Sequence, residues 1–66
     1  MNKIPYHFGI TLENKDAQDR ILTIIGGIFV EDESEAESKF GNIVTSELAN
    51  NPGYELAIAV HNKFYA

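Results

Sequence analysis

The chain contains no cysteine and no tryptophan, one methionine, two prolines, and only five basic residues against ten acidic ones. Without cysteine there is no disulfide, thiolate metal site or thiol nucleophile, so a domain near the lower size limit must hold together by packing alone. The shortage of Lys and Arg gives a formal net charge of −5 and excludes a nucleic-acid binder built on clustered phosphate contacts, so no direct nucleic-acid partner is expected. Long apolar runs are missing too. The longest, Ile21 to Val30, is too short to cross a bilayer and is interrupted by Gly26-Gly27. The start, Met1-Asn2-Lys3-Ile4-Pro5, lacks the basic region, apolar run and small-residue cleavage site of a signal peptide, so a cytoplasmic location away from membranes is expected. At 66 residues the chain cannot enclose a substrate-sized cavity beside its own core, yet 44% hydrophobic and 23% charged residues suit a folded globule, expected as a single domain over 1–66.

What is present reads as four elements. From Ile4 to Leu12 the even positions Ile4, Tyr6, Phe8, Ile10 and Leu12 are apolar while Pro5, His7, Gly9 and Thr11 alternate with them, the period-2 signature of a strand with one buried face. The polar stretch Glu13 to Asp19 then reads as a hairpin loop. Between Arg20 and Val30 the even residues Leu22, Ile24, Ile28 and Val30 are apolar, but so are Ile21, Ile25 and Phe29. This second strand either lies under cover on both faces or leaves one face sticky, and its two-sided apolarity favours the centre of the sheet, though the last strand can lie beside the second through a right-handed crossover or beside the first as its antiparallel neighbour. Gly26-Gly27 within it predicts a kink.

Five of the ten acids follow at once: Glu31, Asp32, Glu33, Glu35 and Glu37. Asp32 with Glu35, or Ser34 with Glu37, has capping-box spacing, and carboxylates in a first turn suit the positive end of a helix dipole. Ala36, Phe40, Ile43, Val44 and Leu48 recur at helical spacing until Asn50-Asn51-Pro52-Gly53, a stop signal whose Pro-Gly suits a type II turn. Gly41, about 1 kcal/mol worse than Ala inside a helix, predicts a bend or break. Tyr54 to Tyr65 alternates again, with Tyr54, Leu56, Ile58, Val60 and Phe64 on the expected core side and Glu55, Ala57, Ala59, His61 and Lys63 on the other. The fold class is therefore α+β: a small three-stranded, mainly antiparallel sheet with one face covered by a helix, in the order β-β-α-β.

No motif for catalysis occurs: there is no phosphate loop, dinucleotide fingerprint, nucleophile elbow or zincin signature, so the chain is read as non-enzymatic and without a cofactor. The acid run is not a calcium loop, since counting from Asp32 the sixth residue is Glu37 rather than glycine and the twelfth is Ile43 rather than glutamate. His7 and His61 share the non-core parity of their strands and would face the same side of neighbouring strands, with Glu55 nearby, but without motif spacing they predict no metal site. Two surfaces remain. Five carboxylates within seven residues form a compact negative patch able to steer the protein to a basic groove, with Phe29 or Tyr54 as an aromatic anchor. The sheet face away from the helix, with Ile25, Phe29, Ala57, Ala59 and Tyr65 beside His7, His61 and Thr23, is the second, and it leaves a monomer or a weak homodimer open.

The stretch Gly27-Ile28-Phe29-Val30-Glu31-Asp32-Glu33-Ser34-Glu35-Ala36, followed by a helix and then Asn51-Pro52-Gly53-Tyr54-Glu55-Leu56, resembles the layout of very small phage-encoded inhibitors. It is similar to the T7-type inhibitor of bacterial RNA polymerase in arrangement and to anti-CRISPR proteins in size, acidity and absence of catalytic motifs. The resemblance covers about half of the chain and concerns architecture. It implies stoichiometric inhibition in a bacterial host cell, through a complex with a basic surface: a CRISPR effector first, RNA polymerase second.

Overall fold

A computed structural model describes residues 3–63. The elements are β1 (Ile4–Asn14), β2 (Ile21–Val30), α1 (Glu33–Asn50) and β3 (Tyr54–Lys63), an α+β arrangement in the expected β-β-α-β order. The expected strand positions Phe64 and Tyr65 lie outside the described residues.

The three strands form one sheet in the order β2-β1-β3, with both outer strands antiparallel to β1. This corrects the expectation that β2 is central. β1 is central instead, and β2 and β3 run parallel to each other on either side of it, so α1 crosses over β1 to connect them. The two-sided apolarity of β2 does not reflect two-sided cover: its even residues face the helix, and Ile21, Ile25 and Phe29 are exposed.

The core lies between α1 and the even face of β1. Leu12 and Val30 are fully buried, Ile10 nearly so, and Phe8 packs with Phe40 at a ring-centroid distance of 6.0 Å. A second cluster joins Tyr6, Val30 and Ala36. The helix runs unbroken through Gly41, contrary to the expected bend, because an isolated glycine lowers helix propensity without removing a hydrogen bond.

The expected kink at Gly26-Gly27 is also absent. Pairing of β1 with β2 proceeds in step from Ile4–Val30 to Glu13–Ile21. Gly26 is required by a side chain: a Cβ there would sit 2.7 Å from Cζ of Phe8, so the ring lies over the glycine on the core face. The irregularity falls in β3. Leu12 pairs with Leu56 but Thr11 pairs with Ile58, leaving Ala57 as an extra residue in a β-bulge.

The turns follow their sequence signals. Asn14 Oδ1 accepts from the backbone N–H groups of Asp16 and Ala17 at 2.9 and 3.0 Å, an Asx turn that opens the β1–β2 hairpin loop. Gly53 has φ of 90°, and the Tyr54 N–H donates to the Asn51 carbonyl at 3.2 Å, as a type II turn requires. The Lys15 N–H reaches the Gly53 carbonyl at 2.9 Å, which ties the two loops together.

Candidate functional site

The acidic helix start is fixed by its own capping groups. Asp32 is the N-cap, and its carboxylate accepts from the Glu35 N–H at 2.8 Å. In return Glu35 accepts from the Glu31 N–H at 2.7 Å, a reciprocal clasp one residue wider than the usual capping box. Glu35 is half-buried and serves the scaffold. Glu31, Asp32, Glu33 and Glu37 are exposed. Lys39, the basic residue nearest in sequence, donates through Nζ to the Phe29 carbonyl at 3.4 Å. Four outward carboxylates therefore stand at the point where β2 hands over to α1.

Phe29 and Tyr54 are not equivalent. Phe29 lies two residues before Glu31 and is 65% exposed, so acid and aromatic share one end of the molecule. Tyr54 pairs with Asn14, whereas Phe29 pairs with Pro5. Nine residues of strand separate the two levels, about 30 Å at the usual rise. Tyr54 also packs against the core cluster of Phe8, Ile10, Leu12 and Phe40, which suits it to closing the far end of the core.

The bulge at Ala57 redistributes the side chains of β3, and this corrects the expected parity. Beyond it Ala59 pairs with Ile10 and His61 with Phe8, both core-facing residues, while Ile58 and Val60 pair with Thr11 and Gly9 on the other face. Ala59 therefore packs against the core, and Ile58 and Val60 are exposed. The same shift separates the two histidines. β1 and β3 are neighbours, but His7 pairs with Asn62 on the outer face, and His61 lies on the helix side. There its ring is 4.7 Å from Phe40 and 5.9 Å from Tyr6, and its Nδ1 is buried without a hydrogen-bond partner. Among the described residues no group of His, Cys, Asp and Glu has the geometry of a metal site.

An open cleft lies beside His61, lined by Tyr6, Glu33, His61, Asn62 and Lys63. It brings one member of the acid run, Glu33, to the end of β3. No helix among the described residues is long and apolar enough to cross a membrane. Compared with protein-family models, curated proteins and solved structures, the chain matches none of them.

Two surfaces thus emerge from the geometry: an acidic, aromatic-edged end and a bare apolar sheet face. The first was readable from residue order. The second was readable only for β2, because the residues that complete it on β3 had the parity of the core.

Proposed function

We propose that this chain acts by binding rather than catalysis, as a small acidic protein that occupies a basic surface of a larger bacterial nucleic-acid-handling complex and blocks it stoichiometrically. The observation that supports this reading is the outward set Glu31, Asp32, Glu33 and Glu37, held at a capped helix start. Carboxylates fixed on a rigid element cost little further ordering when they meet a cationic groove, and their field speeds encounter. The identity of the target, a CRISPR effector first and RNA polymerase second, rests on the resemblance of the acid-rich helix start and the Pro-Gly turn.

The reading is tested by expressing the chain in bacteria that carry an active CRISPR effector and scoring plasmid interference, in parallel with a transcription assay using purified RNA polymerase. Inhibition of one of the two is expected, weakening with added salt. A variant with Glu31→Gln, Asp32→Asn, Glu33→Gln and Glu37→Gln should lose at least tenfold in potency. Inhibition that the neutralised variant retains in full would remove the acid run from the contact, and no effect in either assay would remove the proposed targets.

A further inference from the structure

The outer face of the sheet carries apolar side chains on both edge strands, and part of this surface exists only because of the bulge. On β2 Ile21, Ile25 and Phe29 are exposed by 61%, 79% and 65%, and on β3 Ile58 and Val60 by 58% and 52%. At roughly 200 Å² for a large side chain, these five leave about 600 Å² of apolar surface open, the upper end of what a monomer shows. With His7, Gly9 and Thr11 of β1 between them, the face reaches about 800 Å², the share one partner contributes to a standard stable interface.

We propose that this face is the interface between two copies of this chain, packed sheet against sheet with α1 on the outside of each. Three observations select a second copy. First, the chain is thin for its length: its radius of gyration is 13.2 Å and its extents are 46 × 22 × 13 Å, against about 11 Å expected for a compact domain of this size. A second sheet stacked about 10 Å away supplies the missing layer. Second, the face offers a basic partner little to pair with. Glu33 and Glu37 belong to α1 on the opposite side of the sheet, Glu31 and Asp32 lie past the end of β2, and the carboxylates of the face itself, Glu13 and Glu55, sit opposite each other at the other end.

Third, the arrangement is self-complementary. Gly9 forms a low point at the middle of the face, with Ile25 as its partner on β2 and Val60 as its partner on β3. A dyad lying across the strands at Gly9 lays the Glu13–Glu55 end of one copy over the Pro5–Phe29 end of the other. A dyad along the strands would stack Glu13 and Glu55 directly on their copies, which like-charge repulsion disfavours, whereas the crosswise dyad sets them against Pro5 and Phe29, with Glu31 beyond the strand end. The crosswise dyad is therefore the one assigned.

The test is the mass of the full chain in solution by sedimentation at low and high salt. Twice 7.4 kDa is expected in both, since apolar contacts are not screened. Ile25→Lys and Val60→Lys, which charge the central row, should each return the mass to one chain with an unchanged circular dichroism spectrum. Because the chain has no cysteine, a single thiol can also map the dyad. A Cβ at Gly9 meets only Val60 Cγ2, at 3.8 Å, and sheets about 10 Å apart are too distant for a disulfide, so a short bis-maleimide is the probe. Gly9→Cys should cross-link into a dimer and Glu13→Cys should not. A single-chain mass for the unsubstituted protein overturns the proposal and leaves the face to a different protein. So does a dimer that survives both lysine substitutions. Should those variants fail to fold, absence of a cross-link at Gly9→Cys overturns it.

Discussion

Both faces of the sheet carry large apolar side chains, and these have opposite fates. On the helix side, Tyr6, Phe8, Ile10 and Leu12 are buried beneath α1. On the other side, Ile25, Phe29, Ile58 and Val60 are as apolar but lie open. Hydrophobic side chains do not in themselves define a core, and cover decides. One helix of 18 residues, about 27 Å long, spans one face of a three-stranded sheet and leaves the other bare.

That contrast can be broken most severely from within. Leu12→Ala, at a fully buried site, should cost about 3 kcal/mol of stability, measured by urea unfolding. Ile25→Ser should stay within about 0.5 kcal/mol at concentrations where the chain is monomeric. A comparable loss at Ile25 under those conditions would mean that the outer face is covered within the single chain. Next in size, Gly26→Val would drive a side chain into the Phe8 ring and should cost about 2 kcal/mol by overpacking, visible as a lowered Tm. His61→Phe keeps a ring between Tyr6 and Phe40 and removes the unpartnered Nδ1; a gain of about 1 kcal/mol is expected, and a loss would show that the imidazole makes a contact worth keeping. Smallest, Gly41→Ala adds a methyl with nothing within 4 Å and should stabilise α1 by up to about 1 kcal/mol, read as a raised Tm.

Much of the fold was legible because local chemistry and final structure agree. The alternation from Ile4 to Leu12, the Asp32–Glu35 cap and the Pro52-Gly53 turn each specify a conformation within a few residues, and each is observed. Strand order was not legible. β2 advertises apolar residues on both parities, and periodicity reports which residues are apolar without reporting what covers them. The bulge was hidden for a different reason: Glu55, Ala57 and Ala59 alternate cleanly with Leu56 and Ile58, and no glycine or proline marks the extra residue. It brings small Ala59 opposite Ile10 beneath the helix. His61 was misplaced with it, as was the reason for Gly26, which depends on a ring in another strand. In the candidate site, the acid run and Phe29 were legible as neighbours in sequence, but the distance from Phe29 to Tyr54 required the pairing register.

The single surplus residue near Ala57 has an evolutionary reading. Losing that codon would leave a regular ladder with Leu56 opposite Leu12 and Ile58 still opposite Thr11, so isoleucine and valine would stay outward and alanine and histidine inward. The sticky pair is thus kept with or without the surplus residue, and only a ladder that took Ala57 up as a paired residue would turn it inward.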